Sequence, residues 1–233
     1  TLLQQTSHHK SIDAWTSLIS GYASIHRGED ALHAYCQMLT HGLQPDRYVL
    51  VALFKVCGIL CDLDLGRRFH ELARRNGFLS GFVGNTLVRM YGKCGSSIDA
   101  EQTFRELLGS SIDDIIDDVV SWNAMLSVYV EHSHYEKAMQ LFRQLVEENV
   151  IPDHISFVNA LQACGGLAKK YEDTFRTMLL EMGRALHADA RRKGLSTDVY
   201  VRSALLSMYG KCGGLIEAED VFSSLLQPIF FST

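Results

Sequence analysis

Apolar residues recur along this chain at the alternating spacings of three and four residues that are typical of amphipathic helices. The segment 119–153 shows the pattern clearly, with a polar break at 132–134. Its apolar positions are Trp122, Met125, Leu126 and Tyr129 before the break, and Ala138, Leu141, Phe142 and Leu145 after it. The pattern predicts two helices joined by a short turn, which is a helical hairpin.

The same landmarks return at fixed distances, which indicates internal repeats. Segments 12–46 and 119–153 align without a gap, and both end in Pro-Asp. Their matched landmarks are Trp15, Tyr22, Ala31, Pro45 and Asp46 in the first segment, and Trp122, Tyr129, Ala138, Pro152 and Asp153 in the second. A further run, Met90 to Gly95, returns unchanged as Met208 to Gly213.

Three kinds of repeat follow one another in a fixed order, and the order occurs twice. Type-one repeats are 12–46 and 119–153, type-two repeats are 47–80 and 154–198, and type-three repeats are 81–118 and 199–233, the last of them incomplete. Residues 1–11 are assigned to the tail of a preceding repeat. Because one hairpin cannot bury its apolar stripe alone, the repeats are expected to stack in two layers, with the first helices lining one surface.

The later type-two repeat is longer than the earlier one. Its extra residues fall at 165–182, in the turn between its two helices. A stack of hairpins tolerates an insertion there because the packed faces are untouched. We expect the insertion to add one or two helical turns.

Composition agrees with an all-α class. The chain has 233 residues, 47% of them hydrophobic and 21% charged, which suffices for a sizeable core. Its three prolines, Pro45, Pro152 and Pro228, stand at the ends of helix-like runs. A formal net charge of -5 argues against long-range attraction of a polyanion, so any contact with nucleic acid must be local.

Nothing in the sequence favours disulfides, a metal site or a membrane span. Among the six cysteines, Cys57 matches Cys164 and Cys94 matches Cys212 by repeat position, so we expect reduced thiols that fill close contacts between helices. No Cys-x-x-Cys with a second ligand pair is present, and no run of eighteen apolar residues occurs. Because the chain starts at Thr1, we interpret it as part of a longer protein.

In combination, several segments resemble pentatricopeptide repeat proteins of the plant type, which alternate P, L and S motifs. The segments are Ser121 to Met125, Asn85 to Gly95 and Gly194 to Asp198. The resemblance implies a right-handed α-solenoid in which type-one, type-two and type-three repeats are the P, L and S motifs. The tetratricopeptide hairpin is the rival, but it places glycine three residues before its tyrosine, where this chain has Ile19 or Leu126. A protein-binding scaffold of that kind is the alternative.

The resemblance also implies that single-stranded RNA is bound one base per repeat, read by the fifth and the last residue of each repeat. The pairs here are Thr16 with Asp46, Asn85 with Asp118 and Asn123 with Asp153, which resemble pairs for G, for U or C, and again for U or C. Ser203 fills the fifth position of the last repeat, without an assignable partner. In the type-two repeats Val51 and Val158 fill it, and since an isopropyl group makes no hydrogen bond, these repeats are expected to act as spacers.

Two further sets of residues follow from the resemblance. The second position of a repeat packs on base faces, and it holds Tyr48, Phe82, Val120, Ile155 and Tyr200, with Asp13 as the departure. The thirteenth position places Lys93 and Lys211 near RNA phosphates. Each role has a structural alternative, namely N-caps for Asp46 and Asp153, packing between repeats for the second positions and solvated turns for the lysines.

The sequence thus predicts a recognition tract for single-stranded RNA in an organellar RNA processing or C-to-U editing factor, in the mitochondrion or the chloroplast. The segment is expected to bind without catalysing and without a cofactor, with editing or processing proteins as partners in trans. The string His134-Tyr135-Glu136 matches the H-x-E of zinc deaminases, but the chain lacks the C-x-x-C that completes such a site. No membrane and no small-molecule substrate is expected.

Overall fold

The computed structural model describes residues 2–79, 81–109, 119–171 and 173–226. Within these ranges all regular secondary structure is helical, which confirms the all-α prediction. The chain divides into two compact parts, a first half at Thr1–Ile115 and a second half at Ile116–Thr233. The division falls where the order of three repeats starts again.

The described residues of the first half form three hairpins. Their helices are α1 (Leu2–Ser24), α2 (Gly28–Thr40), α3 (Arg47–Leu60), α4 (Leu63–Arg75), α5 (Gly81–Lys93) and α6 (Ser97–Gly109). The first helices pack side by side, α1 on α3 and α3 on α5, and each also packs on the second helix of its own hairpin. Side chains with no exposed surface on α3 and α5 include Leu50, Leu53, Phe54, Leu87 and Val88.

The described residues of the second half form three more hairpins. Their helices are α7 (Val119–Glu131), α8 (Tyr135–Glu147), α9 (His154–Lys170), α10 (Asp173–Arg192), α11 (Val199–Cys212) and α12 (Leu215–Leu226), with a short 3-10 turn at Leu195–Thr197. Helix α9 is central, since it packs against α7, α8, α10 and α11. The predicted stacking of hairpins is therefore present within each half.

The Pro-Asp ends of the type-one repeats begin the next helix. Asp46 accepts hydrogen bonds from the backbone N–H groups of Tyr48 (3.0 Å) and Val49 (2.9 Å) at the start of α3. Asp153 accepts one from the backbone N–H of Ser156 (2.9 Å) at the start of α9. Ser156 Oγ accepts in return from the backbone N–H of Asp153, so these two residues form a capping box. Both aspartates are therefore N-caps, whatever else they do.

The type-two and type-three repeats of the first half are joined by two polar contacts. His70 is buried, and its Nδ1 lies 2.8 Å from the hydroxyl oxygen of Tyr91. On the exposed side of the same interface, Arg67 donates to the carboxylate of Asp99 at 2.8 Å. These contacts connect α4 with the next hairpin.

The second half repeats both contacts at matching positions. His187 Nδ1 lies 3.0 Å from the hydroxyl oxygen of Tyr209, and Arg184 pairs with Glu217. The repeated Met-Tyr-Gly-Lys-Cys-Gly run therefore has a structural reason, because its tyrosine meets the histidine of the preceding repeat. The interface between the type-two and type-three repeats is therefore built from matching contacts in both halves.

The insertion at 165–182 lies almost entirely in helix. Helix α9 has 17 residues against 14 in α3, and α10 has 20 residues against 13 in α4. The insertion thus lengthens the end of one helix and the start of the next, and only a short connection separates them. Glu136 in α8 holds the extended end, since it accepts hydrogen bonds from Lys170 Nζ (2.6 Å) and from the hydroxyl of Tyr171 (2.8 Å).

The start of the first repeat differs from the expected boundary. Helix α1 begins at Leu2 and runs through Ile12 without a break, so residues 2–11 continue the first helix and do not form a separate hairpin tail. The end of the type-three repeat at 110–118 lies outside the described residues, as does 227–233. None of the described helices combines the length and the apolar character needed to cross a bilayer.

Candidate nucleic-acid interface

From α3 onward, the second position of a repeat lies in the first turn of a first helix. It carries an apolar side chain that stays exposed. The exposed fractions are 58% for Tyr48, 46% for Phe82, 48% for Val120, 37% for Ile155 and 71% for Tyr200. Packing between repeats would bury such side chains, so packing accounts for only part of their surface. A single exposed apolar residue is ordinary, but recurrence at one position of successive helices indicates a shared role.

Two of these side chains touch one another in the first half. The rings of Tyr48 and Phe82 are stacked, with centroids 5.7 Å apart and planes inclined by 26°. Aromatic faces of this kind suit nucleobases, because every base offers a π-face. Asp13, the second-position residue of the first repeat, is exposed and offers no such face.

Asn123 and Asp153 are joined directly. Asn123 Nδ2 donates to Asp153 Oδ1 at 2.9 Å, and Asn123 Oδ1 accepts from Ser156 Oγ at 2.7 Å. Asn123 is only 1% exposed, so its carboxamide is satisfied inside the chain. The fifth and last residues of this repeat therefore form one hydrogen-bonded network with the start of α9.

The capping aspartates use one carboxylate oxygen each. Asp46, Asp153 and Asp198 all accept their backbone hydrogen bonds through Oδ1. No described residue donates to Oδ2 of any of the three. Since a carboxylate oxygen is an acceptor, each Oδ2 is available to an N–H donor from outside the chain. Helix capping and base contact thus do not compete for the same atom.

The other two predicted pairs are not joined in the described residues. Thr16 is half-buried in α1, and its Oγ1 donates to the backbone carbonyl of Ile12 at 3.0 Å, with no hydrogen bond to Asp46. Asn85 is 6% exposed, and its Oδ1 has no hydrogen-bond partner within the described part of the chain. Its expected partner, Asp118, lies outside the described residues. Of the two pairs that lie within the described residues, the structure joins one by a hydrogen bond, Asn123 with Asp153.

A groove runs over α9 between α7 and α11. One section has a volume of about 440 Å³ and is lined by Ser127, Val130, Glu131, His154, Ile155, Val158, Asn159, Gln162 and Tyr200. The neighbouring section, also about 440 Å³, is lined by Val130, Tyr135, Val158, Gln162, Gly166, Lys169, Tyr200, Ser203, Ala204, Ser207 and Lys211. The two sections share four residues and form one continuous surface. Val158 and Ser203, both fifth-position residues, line it.

Lys93 and Lys211 are held in the same way in the two halves. The stem of Lys93 passes across Gly58, where a Cβ atom would lie 3.2 Å from its Cδ. The stem of Lys211 passes across Gly165, where the same distance would be 3.0 Å. The glycine after each matched cysteine therefore makes room for the lysine of the next repeat. The contact with glycine fixes the direction of each lysine stem. A lysine in a turn without such a contact would not be oriented in this way.

Three features of the groove were not anticipated from the sequence. Gln162 lines both sections, Lys169 lines the second, and Asn159 Nδ2 donates to Ser127 Oγ at 3.3 Å. Ile155, Val158, Gln162 and Lys169 continue one face of α9 at spacings of three, four and seven residues. That helical spacing was visible in the sequence, but it identifies the face only once α9 is known to extend through the insertion.

The glutamate of the His-x-Glu string makes contacts within the chain. Hydrogen bonds from Lys170 and Tyr171 lower the pKa of Glu136 to about 2, so this carboxylate is committed to holding the end of α9. His134 lies just before α8, and its side chain makes no cap hydrogen bond. Within the described residues no three His, Cys, Asp or Glu side chains are grouped so as to hold a metal ion.

The matched cysteines lie at the interface between type-two and type-three repeats. Cys94 Sγ donates to the backbone carbonyl of Cys57 at 3.5 Å, and Cys164 Sγ donates to that of Leu179 at 3.3 Å. Burial raises the pKa of Cys57 to about 12 and that of Cys94 to about 11. These thiols stay protonated at neutral pH and act as small packing groups.

The fold defines a helical-repeat protein in which apolar side chains on the first helices of the hairpins stay exposed. The pattern of the PPR repeat family matches residues 117–165, and the PPR repeat matches residues 13–43, 85–112 and 200–227. Together these matches cover more than half of the chain. The chain therefore belongs to the pentatricopeptide repeat family.

Similar proteins carry the same family name. Pentatricopeptide repeat-containing protein At4g25270, chloroplastic, from Arabidopsis thaliana is 33% identical over 217 residues, which are 92% of this chain and 37% of the relative. Protein At1g03540 from the same plant is 32% identical over 218 residues, 93% of this chain and 33% of the relative. The chain thus spans about a third of the length of these relatives.

A likeness to a solved structure is weaker. The crystal structure of the pentatricopeptide repeat protein PPR10 in complex with an 18-nt psaJ RNA element has 18% sequence identity and a TM-score of 0.45. The likeness covers 91% of this chain and 44% of PPR10.

Proposed function

We propose that this chain binds single-stranded RNA along the faces of its first helices. The observation that carries the proposal is the exposed apolar side chain at the second position of each of five successive repeats, from Tyr48 to Tyr200. Such side chains stack on bases without regard to sequence, which explains affinity. Family membership supports RNA as the ligand, because repeats of this kind can place one unstacked base against each hairpin.

The preference for particular bases would come from polar groups near these exposed second-position side chains. In the second type-one repeat, Asn123 orients Asp153 through the 2.9 Å hydrogen bond and leaves Asp153 Oδ2 as an acceptor. An acceptor suits a base edge that presents an N–H, and a base without one would leave the carboxylate unpaired. Because Asn123 is covered in the free chain, direct contact between its carboxamide and a base requires a rotation of the side chain.

We further propose that the chain is the recognition tract of a PLS-class RNA processing or C-to-U editing factor. The repeated order of three repeat types supports the subclass. The names of several similar plant proteins include the word chloroplastic, which supports an organellar setting, in the chloroplast or the mitochondrion. Editing or processing would be carried out by partner proteins in trans, or by parts of the same protein that lie outside this chain.

The experiment exchanges the fifth residue of one repeat. The expected RNA core is 5′-G-N-Y-Y-3′, read by the repeats from the N-terminus onward. Asn123→Thr gives the second type-one repeat the Thr and Asp pair of the first. We expect the preference at the fourth nucleotide to move from a pyrimidine toward G by about 1–3 kcal/mol, measured by fluorescence anisotropy with four RNAs that differ only there.

Thr103→Asn is the control. Thr103 is also buried and hydrogen-bonded, to the backbone carbonyl of Asp99, but it lies on the second helix α6 and does not line the groove. The control should leave base preference unchanged even where it lowers stability. An unchanged preference in Asn123→Thr would refute the base-reading assignment, and failure of the unaltered chain to bind any single-stranded RNA would favour a protein-binding scaffold.

A further inference from the structure

We infer that the second type-two repeat is a phosphate anchor, in which Lys169 and Lys211 hold one phosphodiester of the bound strand between them. The inference rests on the proposed RNA binding and adds a residue, Lys169, to it. It also changes the role of this repeat. Val158 still reads no base, but the repeat contributes affinity and is more than a spacer.

The groove section over the end of α9 is complementary to an anion. Helix α9 contributes Gln162 and Lys169, and α11 contributes Ser203, Ser207 and Lys211. Two lysines and no acidic residue line this section, Glu131 lies in the adjoining section, and the whole chain carries a net charge of -5. Hydroxyl and carboxamide groups beside the lysines can donate to phosphate oxygens.

The insertion is what brings the second cation to the groove. Counted from the first helical residue, the sixteenth position of the type-two repeat is Asp62 in the first half and Lys169 in the second. Asp62 follows the end of α3 and caps α4, accepting from the backbone N–H of Leu65 at 2.9 Å. Lys169 lies inside α9, because that helix continues to Lys170. At this repeat position the first half therefore has an acidic residue, whereas the second half has a lysine that lines the groove.

Lys170, the residue next to Lys169, forms an ion pair within the chain, and this distinguishes the two lysines. Lys170 donates to Glu136 at 2.6 Å, which neutralises its charge locally. No described residue forms an ion pair with Lys169 or with Lys211. Two like charges that line one groove repel each other, and a phosphate between them would remove that cost and gain two attractions.

The experiment compares Lys169→Ala with Lys170→Ala in the full chain. Both remove one lysine from the same helical turn, and only one of the two lysines lines the groove. Binding to an RNA containing 5′-G-N-Y-Y-N-3′ is measured by anisotropy between 50 and 300 mM KCl. We expect Lys169→Ala to weaken binding about three- to tenfold at low salt, equally for all base variants, and to reduce the slope of log K against log salt by about 0.7.

A chemically neutral linkage locates the contact. An uncharged methylphosphonate is placed at each linkage of the RNA in turn, and the linkage at the fifth nucleotide should weaken the unaltered chain by at least the factor that Lys169→Ala does, because it removes the attraction to both lysines. On the RNA with that neutral linkage, Lys169→Ala should cost no further affinity. Circular dichroism melting curves check that both lysine variants are folded.

The outcomes separate this inference from the proposed function. If the unaltered chain binds RNA and the two lysine variants behave alike, or if Lys169→Ala changes base preference, the anchor is overturned and RNA binding stands. If the unaltered chain binds no RNA, both ideas fall together. A loss confined to Lys169→Ala and cancelled by one neutral linkage supports the anchor.

Discussion

At the scale of single residues, the aspartates that begin α3, α9 and α11 divide two tasks between two oxygens. Oδ1 of Asp46, Asp153 and Asp198 stabilises a helix start, and Oδ2 has no donor within the described residues. The helix cap therefore leaves one oxygen of each carboxylate unused. We propose that this second oxygen is the acceptor for a base.

Two histidines, buried His70 and half-buried His187, make stability depend on pH. Burial lowers the pKa of both His70 and His187, so the folded chain favours the neutral imidazoles. Below a pH of about 6.5 the unfolded chain takes up protons that the folded chain does not, so stability falls as pH decreases from about 6.5 toward the folded pKa values. The free energy of unfolding in urea should therefore be lower at pH 5.5 than at pH 7.5.

The double variant His70→Gln/His187→Gln should flatten this dependence. Glutamine can still bond the hydroxyls of Tyr91 and Tyr209 but does not titrate. His33→Gln is the control, since His33 is exposed on α2 and hydrogen-bonds only with Gln37 in the described structure. A double variant that keeps the full pH dependence would show that other groups cause it.

At the scale of helices, close approach decides which substitutions are tolerated. Gly84 in α5 faces Leu107 of α6, which is 3% exposed, and a Cβ at Gly84 would lie 2.8 Å from Leu107 Cδ1 and 3.0 Å from its Cγ. The contact involves the branch point of the leucine, so the whole side chain would have to move. Overpacking of this kind costs about 1–3 kcal/mol.

We therefore expect Gly84→Ala to lower the free energy of unfolding, and Gly21→Ala to raise it by about 0.5–1 kcal/mol. Both glycines lie inside first helices, and nothing lies within 4 Å of a Cβ at Gly21. The alanine at Gly21 gains helix propensity without a clash. Urea unfolding of the two variants measures both values, and stabilisation by Gly84→Ala would contradict the packing described here.

At the scale of the whole molecule, the small number of phosphate-binding lysines limits how strongly salt can weaken RNA binding. The net charge is -5, and three lysines, Lys93, Lys169 and Lys211, are the cations that we assign to phosphates. Lys169 and Lys211 share one phosphate, so two phosphates are neutralised, and at about 0.7 per phosphate for a single strand log K should fall against log salt with a slope of about -1.4. Anisotropy titrations between 50 and 300 mM KCl measure it. A slope as steep as -5 would require phosphate contacts that have not been identified.

The two halves use the same order of repeats but differ in one insertion. That insertion leaves the interface between type-two and type-three repeats intact, since the contact of His187 with Tyr209 matches that of His70 with Tyr91. Its effect is on the groove, which Lys169 lines. Lys169 is the sixteenth residue of its repeat, and the sixteenth residue of the type-two repeat in the first half is Asp62. A change of length in one hairpin can therefore alter binding without altering the stack.

Spacing along the chain was sufficient to identify the all-α class, the hairpins and the capping aspartates. These features depend on helical periodicity and on proline and aspartate signals that act within one hairpin. The start of α1 was missed, because nothing local marks Ile12 as the middle of a helix. The second-position residues were recognised, but only the structure gives their exposure.

Which polar groups meet was decided by packing. Asn123 is covered and bonded to Asp153, while Thr16 bonds its own helix and makes no hydrogen bond to Asp46 in the described structure. Lys169 lines the groove, whereas the next residue, Lys170, pairs with Glu136. These differences arise from the contacts of α7, α9 and α11 with one another. They bring together residues that are thirty or more positions apart, which no periodicity within one hairpin can specify.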